Sequence, residues 1–337
     1  MNFMFSKRVG IDLGTANTLV YVEKKGVVLN EATVVAYSLL DKKIVAVGEQ
    51  AKLMLGRTPG SIIATHPMRD GAIAEYTVTR VMIRHFVNKA LGNFFIKPEI
   101  LISIPGGATQ VERRAIANAC TYAGAQHVYL IDEPIAAAIG AKISIAEASG
   151  NMIINIGGGT TEVAVISLGE LVAYESERIA GNKIEEAICQ HLRKKHSLII
   201  GERTSETLKM KHGNAYLKEA SEDLKIEVKG RDLRTGLPKT VEITERELTE
   251  SIERPLRGIA QTAKRVLEKI PPELSADIAE KGVVLSGGTA LLKNIDKYLT
   301  QELDIPAYIA EDPLMCVIRG LGRIAENFAL YKKAAQG

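Results

Sequence analysis

The 337-residue chain has no tryptophan, three cysteines and six phenylalanines. Cys120, Cys189 and Cys316 lie far apart, are odd in number and form no CxxC pair. That usage argues against a disulfide frame or a cysteine zinc site and fits reduced thiols in the cytoplasm. No apolar run reaches the ~18–20 residues that span a bilayer, and no signal-peptide cleavage pattern is present, so neither a membrane span nor a secretory leader is expected. The six histidines contain no HExxH-type pair, and no metal site built by the protein alone is expected. Charge of one sign is scarce as well. The net charge is +3 with no block of five or six like charges, so nucleic acid is not an expected partner. The densest basic stretch, His191 to His196, reads as a solvated helix C-terminus, where positive charge suits the helix dipole.

What is present is a globular balance, 46% hydrophobic and 25% charged, with enough length for two domains with proper cores. One stretch stands out. Met152 to Ile166 begins as an apolar run, tightens through Asn155, Gly157, Gly158, Gly159, Thr160 and Thr161, then returns to apolar and β-branched residues. Glycine lets a backbone turn tightly and present bare N–H groups to an anion, so this strand–turn–strand reads as a phosphate cradle. Val9 to Val22 repeats the plan, with Asp12, Gly14, Thr15, Ala16, Asn17 and Thr18 in its turn. Overlaid, Asp12 falls on Asn155, Gly14 on Gly157, Asn17 on Thr160 and Thr18 on Thr161. Two such cradles imply two matching domains closing on one polyphosphate.

Strands and helices alternate around these turns, as in α/β sheets with functional loops at strand ends. Helices are expected over 52–55, 77–91, 109–123, 135–142, 182–195, from 244 to 270, and over 313–331. Capping boxes are expected at Thr109/Glu112 and Thr244/Glu247. The charged stretch 204–243 reads as an inserted subdomain. Domain I is expected over 1–147 plus 318–337, with a subdomain at about 33–67. Domain II is expected over 148–317, with a subdomain at about 183–246.

Neither GxxxxGK[ST] nor GxSxG occurs. Gly320-Leu-Gly322-Arg-Ile-Ala325 imitates a dinucleotide fingerprint, but no strand leads into it, and tight packing of a terminal helix is the preferred reading. Five pieces remain: Asp12 with its loop, Glu133, the second loop, Glu206 with Lys209, and the turn Ser286–Thr289. In this order and spacing they resemble the actin, sugar-kinase and heat-shock-ATPase superfamily. Gly10–Thr18, Leu55–Pro59, Pro67–Gly71, Val111–Ala115, Gly201–Thr204, Gly230–Asp232 and Pro271–Leu274 narrow the resemblance to the MreB family of bacterial actins, over nearly the whole chain.

The resemblance implies an α/β, actin-like (ribonuclease H-like) duplicated fold. Each of its two domains has a mixed sheet flanked by helices and a smaller inserted subdomain. It implies ATP and Mg²⁺ as cofactors. Phosphates would meet Gly14, Thr15, Ala16 and Asn17 on one side, and Gly157, Gly158, Gly159, Thr160 and Thr161 on the other. Further nucleotide contacts fall to Gly181 and Asn182, to Ser205, Glu206, Thr207, Leu208 and Lys209, and to Gly287, Gly288, Thr289 and Ala290. Glu133 would position the attacking water with Thr160 opposite, while Asp12 and, more weakly, Asn155 would hold Mg²⁺ through its waters. Alone, a Glu206/Lys209 spacing is more often a surface ion pair, and Glu133 alone also reads as a carboxylate at a helix N-terminus.

Three positions depart from the family: Asn155 and Asn182 where Asp is usual, and Thr289 where a third glycine is usual. Asn keeps the shape but removes a charge, so ATP binding survives while hydrolysis slows, and Asn155→Asp is expected to raise the ATPase rate. Thr289 adds a Cβ beside the nucleotide.

Phe3, Met4 and Phe5 precede Lys7 and Arg8, and Phe94, Phe95 and Ile96 precede Lys97. Apolar side chains beside basic ones suit an anionic lipid surface, although core packing would also accommodate them. The resemblance favours insertion. It further implies an ATP-dependent, membrane-associated cytoskeletal filament at the inner face of the cell membrane, which maintains cell shape by organising cell-wall synthesis. Its partners would be further copies in paired head-to-tail protofilaments, the membrane, and membrane-bound cell-wall elongation proteins. An actin-fold small-molecule kinase and a DNA-segregating actin-like filament are the alternatives.

Overall fold

A computed structural model describes residues 7–92 and 96–331. Two five-stranded sheets of the same topology organise it. The first runs His127–Asp132, Glu99–Ile104, Arg8–Leu13, Asn17–Val22, Gly26–Ala32; the second runs Ala307–Ile309, Val283–Ser286, Asn151–Ile156, Thr161–Ser167, Glu170–Glu177. In each, a three-stranded antiparallel meander is extended by two parallel strands. The overlaid cradles therefore sit at equivalent strand ends: Asp12 pairs with Leu19 across its hairpin, as Asn155 pairs with Glu162 across the other. Glu99–Ile104 is buried along its whole length, which is why it reads as a continuous apolar run rather than an alternating one.

Each half carries an added three-stranded sheet. One is built from Ile44–Val47, Val35–Ser38 and Ile62–Thr65, the other from Leu198–Ile199, Lys225–Asp232 and Pro238–Thr244. Between the large sheets lies a core containing the helices Glu133–Gly140 and Cys316–Glu326, packed on Leu19, Leu101 and Ile131 of the first sheet and Ile153, Ala164 and Ile166 of the second. The two helices meet backbone to backbone. A Cβ on Gly140 would lie 1.7 Å from the Cys316 carbonyl oxygen, and one on Gly320 1.8 Å from that of Ala136. Gly322 abuts the Tyr21 ring. The glycines of the fingerprint imitation are thus packing glycines.

Several boundaries shift from expectation. The short helix is Glu49–Lys52, with turns carrying the chain to Gly56, rather than 52–55. The long helix is Glu245–Leu267, and the last is Cys316–Glu326 after a 3₁₀ turn. Thr109 and Glu112 form the full capping box. At Thr244 only half of one forms: its side chain accepts from the Glu247 N–H, but the Glu247 carboxylate turns to His191, His196 and Lys195 instead of capping back.

Candidate functional site

The two cradle turns face each other and interdigitate. A Cβ on Gly158 would lie 2.8 Å from the Ala16 Cβ, and one on Gly159 2.3 Å from Thr15 Oγ1. Glycine is needed here for close approach rather than for a positive φ. Gly157 N–H donates to the Thr160 carbonyl at 2.9 Å and closes the second turn. The helix Gly181–His196 starts directly on it, with Gly181 N–H donating to Gly157 O and Asn182 N–H to Gly158 O. Above the turns lies the segment Pro67–Gly71. Gly71 N–H donates to Thr15 Oγ1 at 3.1 Å, and a Cβ on Gly71 would lie 2.7 Å from Thr160 Cγ2.

The floor is polar and, like the fold, duplicated. Ser103 Oγ donates to Asp12 Oδ1 at 3.0 Å, and Ser286 Oγ donates to Asn155 Oδ1 at 2.9 Å. Each serine lies at the C-terminal end of the parallel strand beside its cradle, Ser103 one residue before the last and Ser286 the last, so one device orients both residues. The Asn155 amide then donates to Glu133 Oε1 at 2.7 Å. Burial raises the Asp12 carboxyl to about 6, although the Ser103 hydroxyl opposes the shift. Glu133 is held well above the ordinary carboxylate range by burial and then by the charges of Asp12 and Glu162. Glu162, itself raised by burial, accepts from Gly106 N–H at 3.0 Å and from Ser176. Such crowding of hard oxygen donors suits a divalent cation of the Mg²⁺ type, and Asn155 reduces the charge it must offset.

Over the floor opens a cavity of about 470 Å³, within the range of small-molecule sites. Asp12, Gly14, Thr15, Ala16, Asn17, Glu133, Asn155, Gly157, Gly158, Glu206, Lys209, Gly287, Gly288 and Thr289 all line it. Asn182 lines a small adjoining pocket with Thr15 and Gly158. Glu206 and Lys209 do not pair with each other. Lys52 Nζ reaches Glu206 Oε1 at 2.8 Å from the opposite side of the cleft, and Lys209 pairs with Glu185. A second bridge, His66 Nε2 to Glu202 Oε1 at 2.8 Å, parallels the first. Thr289 donates its hydroxyl to the Gly157 carbonyl at 2.7 Å, so the extra side chain fastens the third turn to the second cradle.

Not every expected residue faces the cavity. Thr161 donates to the Ile179 carbonyl, Ser205 to that of Glu202 and Thr207 to that of Arg203, while Leu208 and Ala290 are core. Those five side chains serve the fold. Conversely, sequence reasoning missed Lys52, Ser103, the bonding role of Ser286, and the apolar wall of Met210, Leu291, Leu292, Leu314 and Val317. The serines had a signal in retrospect, since Ser103-Ile-Pro-Gly-Gly107 and Ser286-Gly-Gly288 both follow a buried parallel strand. Nothing local marks the apolar wall.

Phe3, Met4, Phe5, Phe94 and Phe95 lie outside the described residues; Ile96 is half exposed. Glu99 N–H donates to the Lys7 carbonyl at 3.1 Å. Among the described residues no helix is long and apolar enough to cross a membrane. The stretch His191 to His196 is, as expected, the basic end of a helix with Arg193, Lys194 and Lys195 exposed, and His191, Lys195 and His196 in addition gather on Glu247.

The family described as MreB/Mbl protein matches residues 6–333. The chain is 47% identical over 333 residues to the cell shape-determining protein Mbl of Bacillus cereus, covering 98% of this chain and 99% of the relative. It is 49% identical over 334 residues to the cell shape-determining protein MreB of Escherichia coli K12, covering 97% and 96%. Among solved structures, MreB5 of Spiroplasma citri bound to AMPPNP superposes with a TM-score of 0.91 at 34% identity, over 97% of this chain and 98% of that one. The MamK double helical filament superposes at 0.79 and 20% identity over 96% and 99%, a likeness of fold. The fold is actin-like.

Proposed function

The chain belongs to the MreB/Mbl family, and from that footing we propose that it is an ATP-dependent cytoskeletal filament protein that maintains cell shape. The observation that carries the reading is the interdigitation of the two cradle turns directly over Asp12, Glu133 and Asn155. A polyphosphate seated there touches both halves of the molecule, so nucleotide state and the closure of the halves share one equilibrium. The relatives crystallised with AMPPNP and ADP support a nucleotide as the ligand. We take 1–147 plus 318–337 and 148–317 as the two domains.

Backbone N–H groups of Thr15–Asn17 and Gly158–Thr160 hold the β- and γ-phosphates, and Gly287–Thr289 with Glu206 and Lys209 frame the nucleoside against the apolar wall. Glu133, its carboxyl raised by burial and oriented by the Asn155 amide, positions the attacking water. Mg²⁺, when bound, supplies neutralisation of phosphate charge, with Asp12 and more weakly Asn155 holding its waters. Lipid contact falls to Phe3–Phe5, followed by Lys7 and Arg8, and to Phe94–Ile96, followed by Lys97. Head-to-tail paired protofilaments on the inner membrane surface, working with membrane-bound cell-wall elongation proteins, complete the reading.

Sedimentation with ATP and without nucleotide, in the presence and absence of anionic liposomes, tests it. Polymer that depends on ATP and pellets with lipid is expected, with lipid binding lost in Phe94→Ser/Phe95→Ser. A soluble monomer that passes phosphate to a small acceptor would establish a kinase instead.

A further inference from the structure

Outside the nucleotide cleft, one group of side chains is arranged as a ligand set. His191 Nε2 lies 2.9 Å and His196 Nε2 2.5 Å from the same oxygen, Oε1 of Glu247. Among the described residues this is the one group of three His, Cys, Asp or Glu side chains whose donor atoms all fall within 4.8 Å of one another. Two elements supply it. The histidines sit in the last turns of the helix Gly181–His196, which breaks at Ser197 in the left-handed region, and Glu247 sits in the first turn of Glu245–Leu267. The break lets His196, five positions after His191, swing back onto the same face.

From this convergence we propose that His191, His196 and Glu247 form a site for a borderline divalent transition metal of the Zn²⁺ class, with water completing the tetrahedron. Two imidazole nitrogens and one carboxylate oxygen are the donors such ions take, whereas Mg²⁺ prefers an oxygen shell. Tetrahedral bonds of about 2.0–2.1 Å to nitrogen and oxygen place ligand atoms roughly 3.3 Å apart. The two spacings to Glu247 therefore open by less than an ångström to admit the ion in place of two imidazole protons. Side-chain exposures of 25%, 20% and 13% leave an entry path while keeping the donors ordered.

Glu247 is committed in advance. Thr244 accepts its N–H but does not receive its carboxylate, which a full capping box would have consumed. Lys195 Nζ holds the other oxygen, Oε2, at 3.1 Å, so Oε1 is presented as a single-oxygen ligand. The histidines' own helix end favours a cation through its carbonyls. Lys195 is the competitor, since its ammonium opposes a second positive charge at the same carboxylate. The ion, once bound, ties the far end of the helix that begins on the second cradle to the long helix Glu245–Leu267.

The test is calorimetric titration of Zn²⁺ into the nucleotide-free, magnesium-free full chain, with Co²⁺ absorption as a second readout. One equivalent is expected. His191→Ala and His196→Ala should each weaken it at least about tenfold, since even outer-shell partners of metal ligands matter by about 10–100-fold. Lys195→Gln should tighten it, and Cys189→Ser should leave it unchanged. Unchanged affinity in both histidine variants overturns the assignment. So does a thiolate charge-transfer band in the Co²⁺ spectrum of the wild-type chain, a readout that holds even if a variant fails to fold.

Discussion

Asn155→Asp tests the chemistry of the floor more directly than any other single change. In the structure the Asn155 amide donates to Glu133 at 2.7 Å while its carbonyl accepts from Ser286. Aspartate would keep the bond to Ser286 and lose the donor, leaving two carboxyls in contact. A hydrogen bond to a charged group contributes about 1.5–3 kcal/mol. Stability falls by about 2–4 °C per kcal/mol in chains of 150–250 residues, so a drop of roughly 5 °C is expected for the nucleotide-free variant at pH 8. The deficit must depend on pH. Glu133 is already raised, and a second carboxyl raises the pair further, so the folded state retains protons that the unfolded state releases. The loss is therefore absent below the ordinary carboxylate range and grows as pH rises through the folded values of the pair. With Mg²⁺ and ATP the added charge gains a partner, the deficit closes, and steady-state hydrolysis rises above the parent rate. Differential scanning calorimetry at pH 5 and pH 8, with and without Mg·ATP, reads the first effect, and phosphate release from polymerising protein reads the second. An equal deficit at both pH values would refute the assigned contact, and an unchanged rate would refute the role given to the missing charge.

Further outcomes follow from the same geometry. Lys52→Ala removes one of the two bridges across the cleft; a part-exposed pair of this kind contributes up to about 1 kcal/mol, so nucleotide release measured by stopped-flow should quicken by up to about fivefold. Gly320→Ala drives a methyl into the Ala136 carbonyl and should destabilise the chain by about 3 kcal/mol in urea unfolding, whereas Gly60→Ala, with open space around it, should be neutral. Asp12, raised from 3.8 to about 6, binds a proton in the folded state that the unfolded chain has lost. Its contribution makes the nucleotide-free protein less stable by ~3 kcal/mol as pH climbs from about 4 to above 6, while Mg·ATP affinity rises over the same window. Loss of Mg·ATP affinity on raising the pH from 5 to 7 would count against an ionised Asp12 at the metal.

The doubling of the fold was legible because each cradle carries its own glycines within one short stretch of chain. Asp12 and Asn155, aligned by eye, proved to occupy matching strand ends held by matching serines. Glu133 was legible only through the resemblance, since alone it reads as a carboxylate at a helix N-terminus. The partners of Glu206 and Lys209 were not legible, since Lys52 and Glu185 come from separate elements and no spacing rule joins them. Residues 205–209 show the limit of carrying a helical stretch over whole, because a helix presents only one face and Ser205, Thr207 and Leu208 look elsewhere. The histidine pair escaped notice for a related reason: five positions along a helix point to different sides until the helix ends.

The glycine contacts between Glu133–Gly140 and Cys316–Glu326 bear on how this molecule transmits force. Glu133 is the first residue of a rod whose backbone is seated against a second rod with no side chain between them, and the two large sheets flank the pair. A bearing without play cannot absorb a rotation, so turning one sheet against the other must turn the rods and carry the Glu133 carboxylate with them. The angle between the halves and the position of Glu133 behave as one mechanical coordinate. On the proposed function, a neighbouring subunit that fixes that angle would thereby set the timing of hydrolysis without touching the nucleotide.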